Sequence, residues 1–296
     1  MEASSAPLFV DSRQVRRRFD RLAAQYNAHA DIEREIAARM LERLDYVRID
    51  PRLIVDIGCG TGEATAALRE RYRAAQLLGV DFSESMLRAG QMQSSQLRWL
   101  LPFLKASRAP RICADAEALP LKAQSAQLVW SNLLLLWCND PVAVIAEMHR
   151  VLAVEGLVMF TTLGPDTLQE LRASFGDGRT HTQRFVDMHD LGDMLVHAGF
   201  ADPVMDMEVL TLEYDKLDRL LLDLGRTGAG NAMLDRSSGL AGRGAWQRMR
   251  AAYEAKRRQG KLPVTLEVVY GHAWKGAPKK RPDGRAVVHF DRLRKK

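Results

Sequence analysis

Residues 53–62 read LIVDIGCGTG, an apolar run that ends in three alternating glycines. A short apolar run bounded by turn residues predicts a buried strand, and the residues from about Glu63 onward predict a helix. A second apolar run, 76–80, follows this helix and ends at Asp81. Strand, glycine-rich turn, helix and strand in this order predict a βαβ unit with a right-handed crossover.

The alternation of strands and helices continues toward the C-terminus. We predict further strands at residues 111–114, 127–131 and 157–162. Strands that alternate with helices favour a parallel sheet covered on both faces, so the predicted fold class is α/β with a doubly wound, mostly parallel sheet. Two later segments, 205–209 and 264–270, alternate with the strand period of two and add strands to this sheet.

One predicted helix has signals at both ends. Asp140 is a favoured N-cap residue and Pro141 a favoured first helical residue. Leu152 continues the apolar face of this helix, and Gly156 is typical of the position just past a helix end. We therefore predict that the helix includes Leu152 and ends before Gly156.

The segments on either side of the sheet predict further helices. Residues 15–26 and 32–44 carry apolar side chains at helical spacing, so two helices precede the first strand. The chain between the last two strands also contains two amphipathic helices around a glycine-rich loop. We predict a helical N-terminal lid segment (1–48), a main domain (49–275) whose helical insertion (215–260) completes the lid, and a basic, flexible tail (276–296).

The amino-acid composition limits the classes of protein to which this chain can belong. The 296 residues are 47% apolar and 27% charged, which is typical of a globular protein. No apolar run approaches the roughly 20 residues of a membrane span, and no export signal is recognisable, so we predict a cytoplasmic protein. The three cysteines have no disulfide or zinc-site spacing, and the net charge of +6 is moderate.

The glycine-rich turn indicates a cofactor site. A strand that opens through small residues onto a helix N-terminus presents backbone N–H groups to an anionic or polar ligand. Asp81 ends the next strand, where an acidic residue can accept both hydroxyl groups of a ribose. The spacing of Gly58, Gly60 and Gly62 differs from the G-x-G-x-x-G pattern of dinucleotide sites, and Asp115 ends a third strand.

The segments LIVDIGCGTG, GVDFSESML, CADAEALPL and LVWSNLLLLWCNDP resemble the motifs of class I S-adenosylmethionine-dependent methyltransferases, in that order. The resemblance implies a Rossmann-like sheet of seven strands and S-adenosyl-L-methionine as cofactor. It also implies which residues bind that cofactor: Asp56, Gly58, Cys59, Gly60, Gly62, Asp81, Phe82, Met86, Asp115, Ala116, Ser131 and Asn132.

The second half resembles a narrower group. TLGPDTLQELR, DLGRTGAGNA and LPVTLEVVYGHAWKG are similar to segments of the malonyl-[acyl-carrier protein] O-methyltransferases of biotin synthesis. This resemblance implies methyl transfer to the free carboxylate of a malonyl thioester, carried on an acidic carrier protein or on coenzyme A. Because a carboxylate is already ionised near neutral pH, we expect neither a catalytic triad nor a metal.

Residues that would bind the acceptor are less clearly marked. The candidates are Tyr26, Trp137, Arg184 and His189, each of which also has a structural interpretation, such as core packing for the aromatic residues. Two basic clusters, residues 16–18 and 256–258, could dock an acidic carrier. We expect no membrane or nucleic-acid partner.

Other functions share parts of these patterns. DTLQELR, HDLGDMLVHAGF and the insertion are also similar to a mitochondrial assembly factor of respiratory complex I, associated with modification of a protein arginine. A small-molecule methyltransferase with another acceptor would have the same cofactor motifs. A nucleic-acid-binding module is the remaining alternative, but the positive charges are scattered and no RNA-binding signature is present.

Overall fold

A computed structural model describes residues 10–100, 109–236 and 242–277, with the backbone alone for residues 93–100. Seven strands form one sheet in the order β3-β2-β1-β4-β5-β7-β6. In chain order they are β1 (Leu53–Ile57), β2 (Gln76–Asp81), β3 (Arg111–Cys113), β4 (Ala126–Ser131), β5 (Leu152–Leu163), β6 (Ala201–Tyr214) and β7 (Leu262–Trp274).

The topology is the doubly wound one that the sequence predicts. Strands β1 to β5 pair in parallel, and β7 lies antiparallel between β5 and β6. The strand order reverses between β1 and β4, and ligands of such sheets bind beyond the carboxyl ends of the strands at this reversal. The fold therefore places a candidate site where β1 opens into the glycine-rich turn.

Nine α-helices lie in the described ranges, and two of them precede the sheet, as predicted. They are α1 (Ser12–Leu22), α2 (Asp31–Arg43), α3 (Glu63–Arg71), α4 (Glu84–Leu100), α5 (Pro141–Val151), α6 (Gln169–Phe175), α7 (Met188–His197), α8 (Leu217–Arg226) and α9 (Arg243–Glu254). Within these ranges, no helix has both the length and the apolar character that a bilayer crossing requires.

Alternation along β1 shows how the helices cover both faces of the sheet. Val55 and Ile57 pack with buried residues of α5 and α7, whereas Ile54 packs with α2 and α3. Successive side chains of a strand point to opposite faces, so a strand buried on both faces is apolar throughout. This explains why the first apolar run shows no alternation in the sequence.

The predicted end of α5 is wrong. The helix stops at Val151, and Leu152 already belongs to β5, where it pairs with Ala126 of β4. The ammonium group of Lys275 donates hydrogen bonds to the carbonyls of His149 and Leu152, at 2.7 and 2.8 Å. Lys275, which follows β7, thus caps the C-terminal end of the helix. Because pairing of β5 with β4 already begins at Leu152, the helix has ended before Gly156 could cap it.

The insertion and the N-terminal helices contact each other. Val10 forms a β-bridge with Met233, and Phe19 of α1 packs in one cluster with Ala232 and Met233. Strands β6 and β7 extend beyond the segments predicted for them, but α8 and α9 lie between them as expected. The predicted basic tail falls almost entirely on residues 278–296, outside the described residues.

Candidate functional site

A cavity of about 550 Å³ opens at the carboxyl ends of β1, β2 and β4. Its volume lies within the usual range for small-molecule sites. The walls include the glycine-rich turn and its neighbours, helices α1 and α2, the segment after β4, and the insertion with residues Leu224, Thr227 and Ala229. The sheet thus supplies the base of the cavity, and the N-terminal helices and insertion supply the opposite wall.

The glycine-rich turn is held against β2 by backbone hydrogen bonds. The N–H groups of Gly58 and Cys59 both donate to the carbonyl of Val80, at 2.8 and 3.0 Å. Gly58, Gly60 and Gly62 have φ angles of 76°, 53° and 86°, which residues with a Cβ rarely adopt. At Gly60 a Cβ would lie 3.3 Å from the methyl group of Met86.

Asp81 connects this turn to the start of α4. One carboxylate oxygen accepts the N–H of Gly60 at 2.9 Å, and the other accepts the N–H of Ser83 at 2.8 Å. Burial raises the pKa of Asp81, although both backbone hydrogen bonds favour its ionised form. Because each carboxylate oxygen has two lone pairs, Asp81 retains acceptor capacity toward the cavity that it lines.

Asp56 lies at the carboxyl end of β1, beneath the turn. It is fully buried and accepts a hydrogen bond from the hydroxyl of Thr65 in α3. Burial raises the pKa of Asp56 to about 7. This contact ties the strand to the helix that follows the turn.

Aromatic side chains close the cavity on the α1 side. Phe19 makes edge-to-face contacts with Trp137, Tyr26 and Phe82, with ring centroids 5.4, 6.2 and 6.3 Å apart. Such pairs hold a wall in one geometry while leaving ring faces available for stacking. Tyr26, Phe82 and Trp137 all line the cavity.

Charged groups in the cavity walls are mostly acidic. Four acidic residues line it, namely Glu33, Asp56, Glu63 and Asp81, against one arginine, Arg34. The Arg34 guanidinium is already bonded to Asp31 at 2.7 Å and lies 3.4 Å from Glu63. An acid excess in a largely apolar cavity favours a cationic ligand.

Most predicted cofactor residues meet at this cavity. Asp56, Gly58, Cys59, Gly60, Asp81, Phe82, Met86 and Asn132 line it. Gly62, Asp115, Ala116 and Ser131 do not: Gly62 backs onto the Arg111 guanidinium, Asp115 is exposed, and Ala116 and Ser131 are buried.

Two of the four candidates for acceptor binding lie elsewhere. Tyr26 and Trp137 line the cavity, but the Arg184 guanidinium forms an ion pair with Asp235. His189 is 86% exposed and bonds to Asp187, the N-cap residue of α7. Asp187 thus caps α7, with His189 in the first turn of that helix, and neither Arg184 nor His189 lines the cavity.

Several residues of the site had no recognisable signal in the sequence. Asn27 accepts a hydrogen bond from the Thr61 hydroxyl at 2.6 Å, which joins the segment between α1 and α2 to the glycine-rich turn. Gly90 of α4 packs directly against the carbonyl of Thr61. These contacts join segments distant in sequence, and no local pattern marks them.

The residues present fit a nucleoside with a charged amino-acid end. Asp81 offers acceptor capacity to ribose hydroxyls, Phe82 and Met86 offer apolar surface to a base, and the acid excess matches a cation. Among the described residues, no group of three or more His, Cys, Asp or Glu side chains has a metal-binding arrangement.

Comparison of the sequence with known proteins agrees with this geometry. A family profile described as "Methyltransferase domain" matches residues 55–160. A malonyl-[acyl-carrier protein] O-methyltransferase of Gallionella capsiferriformans is 50% identical over 281 residues, covering 94% of this chain and 96% of the relative. An enzyme of the same name from Laribacter hongkongensis is 50% identical over 291 residues, covering 95% and 96%.

Solved structures with the same fold are more distant in sequence. The YcgJ protein of Bacillus subtilis aligns with a TM-score of 0.59 at 14% identity, covering 83% of this chain and 100% of that protein. A putative methyltransferase of Bacillus halodurans aligns with a TM-score of 0.57 at 13% identity, covering 82% and 100%. At these identities the likeness confirms the predicted fold class.

Proposed function

This chain belongs to the malonyl-[acyl-carrier protein] O-methyltransferase family, and we propose that it transfers the methyl group of S-adenosyl-L-methionine to the free carboxylate of a malonyl thioester. The observation that carries the proposal is identity near 50% over almost the whole of both chains. The product is a malonyl methyl ester, the starting compound of biotin synthesis, and we place the reaction in the cytoplasm.

The cavity supports this chemistry. S-adenosylmethionine supplies, when bound, an electrophilic methyl group on a positively charged sulfur. The acceptor carboxylate is ionised near neutral pH and needs no general base, so the chain's task is to orient it and to exclude water. Asp81, Phe82 and Met86 would bind the nucleoside, and the glycine-rich turn would contact the methionine part.

An apolar wall would receive the acceptor. It consists of residues of β5, β7 and the insertion, of the segments that follow β4 and β5, and of the segment between α6 and α7: Leu133, Leu134, Leu136, Trp137, Leu163, Leu168, Phe185, Leu224 and Leu266. A wall of this kind removes water from a carboxylate nucleophile and strengthens its attraction to a positive centre. The N-terminal helices and the insertion, which enclose the cavity, would act together as a lid.

The alternatives are less well supported. The relatives at about 50% identity bear the malonyl-[acyl-carrier protein] O-methyltransferase name, so the complex I assembly factor is not favoured. A nucleic-acid module would leave the enclosed, acid-lined cavity without a purpose, because nucleic acid is attracted to basic surfaces.

A direct assay tests the reaction. Purified protein is incubated with S-adenosylmethionine and malonyl-carrier protein, and the carrier is examined by intact mass spectrometry. We expect a gain of one methylene unit on the malonyl group and none on an acetyl-carrier protein, which lacks the free carboxylate. Methylation of neither carrier, with S-adenosylhomocysteine still binding, would show that another acceptor is the substrate.

The carrier would dock on the exposed face of α1. Arg13, Arg16, Arg17 and Arg21 are exposed on this face, and none of them has an ion pair with a described residue. The opposite face of α1 carries Phe19 into the cavity wall. An unneutralised stripe of arginine next to the cavity would attract an acidic protein that delivers the acceptor.

In the two predicted basic clusters, some side chains are bonded to other groups of the chain and are not free to dock a carrier. Arg18 is not available, because its guanidinium donates to the carbonyls of Gly228, Gly230 and Asn231 and so joins α1 to the insertion. Arg257 is likewise bonded to Glu254.

Lys256 and Arg258 line a separate pocket of about 350 Å³. They share it with Glu170, which reduces its net positive charge. We therefore assign docking to α1.

Charge reversal tests this docking surface. Replacing Arg13, Arg16 and Arg17 together with Glu should raise KM for malonyl-carrier protein by about tenfold at low ionic strength, and by less at physiological salt. The measurement is steady-state kinetics at two ionic strengths.

The matched control reverses Arg48, Arg52 and Arg73, which are exposed near the amino ends of β1 and β2. It changes the net charge equally and should leave KM unchanged. Malonyl-pantetheine, which lacks the protein, should react equally with both variants. An equal rise in KM in both triple variants would mean that only overall charge matters.

A further inference from the structure

Glu33 is a half-buried acid whose position the proposed function does not explain. It lies in the first turns of α2 and lines the cavity. Its backbone carbonyl accepts a hydrogen bond of 3.0 Å from the side-chain amide of Asn132, at the carboxyl end of β4. The next residue, Arg34, lies 3.4 Å from Glu63, the first residue of α3. These contacts fix Glu33 between the glycine-rich turn and the end of β4.

One carboxyl oxygen of Glu33 lacks a partner. Oε2 is buried, and no described residue donates a hydrogen bond to it. Burial raises the pKa of Glu33 most; hydrogen bonds from its own backbone and from the Thr227 hydroxyl, and the charge of Arg34, lower it, whereas the charge of Asp31 raises it. Arg34 is itself engaged with Asp31 at 2.7 Å, so it does not neutralise Glu33. A buried carboxyl group without a full set of partners is costly unless a ligand completes it.

Two tyrosines complete the surroundings of Glu33, and neither supplies a positive charge. Burial, and after it the charges of nearby acids, keep the pKa of Tyr26 well above its usual range, and burial raises that of Tyr214. Both hydroxyls therefore stay neutral near pH 7. Since no described residue donates a hydrogen bond to Oε2, a bound ligand is the group that we expect to complete it.

The other acids of the cavity already have roles. Asp56 accepts from Thr65, and Glu63 is paired with Arg34. Asp81 binds two backbone N–H groups and faces the position proposed for the ribose. The methyl donor has one further strong hydrogen-bond donor besides its ribose hydroxyls and base, the α-ammonium group of its methionine part.

We propose that Glu33 binds this α-ammonium group, with Oε2 accepting a charge-assisted hydrogen bond from it. The inference rests on the proposed function, because it requires S-adenosylmethionine as the donor. It also explains why the acid is tolerated in a cavity that admits an anionic acceptor: once paired with the ammonium group, Glu33 no longer presents a net negative charge.

Proton release follows from this pairing. Burial raises the pKa of Glu33 to about 7, so that near neutral pH about half of the molecules carry a proton there. A bound ammonium group lowers that pKa, and the proton must leave. Between pH 6 and pH 8 the ionised fraction rises about tenfold, so ligand affinity should rise about tenfold over the same interval.

Calorimetry with S-adenosylhomocysteine tests the proposal without catalysis. Titrations at pH 6, 7 and 8, each in two buffers of different ionisation enthalpy, report affinity and proton release. Glu33→Gln keeps the shape of the side chain and removes its titration. We expect the wild type to release about half a proton more at pH 7 than the variant, whose affinity should be about tenfold lower at pH 8 and nearly independent of pH.

Two controls locate the effect. Glu35→Gln changes an exposed acid of the same helix, which pairs with Arg39 outside the cavity, and should leave the pH dependence of the wild type intact. Methylthioadenosine lacks the amino-acid end and should bind wild type and Glu33→Gln equally.

The remaining outcomes overturn the proposal. Identical proton release and pH dependence in wild type and Glu33→Gln would refute the role of Glu33 while leaving the donor assignment standing. If S-adenosylhomocysteine fails to bind the wild type at all, the proposed function fails with it. An unchanged donor affinity with a higher KM for the malonyl substrate would instead place Glu33 at the acceptor.

Discussion

Replacing Asp81 with Ala should lower the affinity for S-adenosylhomocysteine by about 100-fold or more. Two hydrogen bonds from ribose hydroxyls to a buried carboxylate contribute roughly 1.5–3 kcal/mol each, and 1.4 kcal/mol corresponds to a factor of ten. The carboxylate also binds the N–H groups of Gly60 and Ser83, which place the glycine-rich turn beside α4. The variant therefore loses ligand contacts and the geometry that supports them.

The same substitution should also destabilise the protein. It leaves two backbone N–H groups without acceptors, at about 1–3 kcal/mol each where they stay buried. The matched control is Asp140→Ala. Asp140 caps α5 through a hydrogen bond of 3.0 Å from the N–H of Ala143 and does not line the cavity. The Asp140→Ala substitution should lower the free energy of unfolding by about 1 kcal/mol without changing ligand affinity.

Titration calorimetry and thermal melts separate these effects. If Asp81→Ala binds S-adenosylhomocysteine as tightly as Asp140→Ala does, Asp81 is a structural residue of the turn and not a ligand-binding one. The Asp81→Asn variant adds a second test. It keeps the volume of the side chain and one acceptor oxygen, so it should recover part of the stability and little of the affinity.

The part of the cavity around the glycine-rich turn was predictable from sequence because its residues lie at or next to strand ends. The topology of a parallel sheet brings the ends of β1, β2 and β4 together, so Asp56, Gly60, Asp81 and Asn132 meet once those strands are recognised. Asp115, two residues past the end of the edge strand β3, was predicted by the same logic, but it is exposed and does not line the cavity.

The rest of the cavity depends on contacts between distant segments, which periodicity does not encode. Glu33 lies on α2, Thr227 follows α8 and Leu266 is in β7, yet all three line the cavity. Arg184 and His189 were suggested by residue type alone. Their aspartate partners, Asp235 and Asp187, account for them without any ligand.

The error at the end of α5 has a similar origin. Gly156 suggested a helix cap because glycine is common there. In the structure Gly156 lies within β5, where a Cβ would come within 2.9 Å of the carbonyl of Ala153 and of the Leu152 side chain. The glycine is required for close packing at an irregularity in strand pairing, not for ending a helix.

Gly90 is another glycine whose role appears only in three dimensions. It lies within α4, where glycine is normally unfavourable by about 1 kcal/mol relative to alanine. A Cβ at this position would overlap the carbonyl group of Thr61 in the glycine-rich turn and the guanidinium of Arg111. Since the Thr61 carbonyl is part of the backbone, rotation of a side chain cannot relieve this overlap. The close approach of α4 to the turn therefore depends on the missing side chain.

Gly90→Ala should consequently reduce affinity for S-adenosylhomocysteine by about 100-fold and destabilise the protein by roughly 1–3 kcal/mol, because the added methyl group forces α4 and the turn apart. The matched control is Gly192→Ala in α7, where the new Cβ would meet only the Met205 side chain, at an ordinary 3.7 Å. That variant should gain up to about 1 kcal/mol from helix propensity and bind normally. Calorimetry and thermal melts of the two variants measure both effects. A Gly90→Ala protein as stable and as competent in binding as Gly192→Ala would show that α4 does not set the position of the glycine-rich turn.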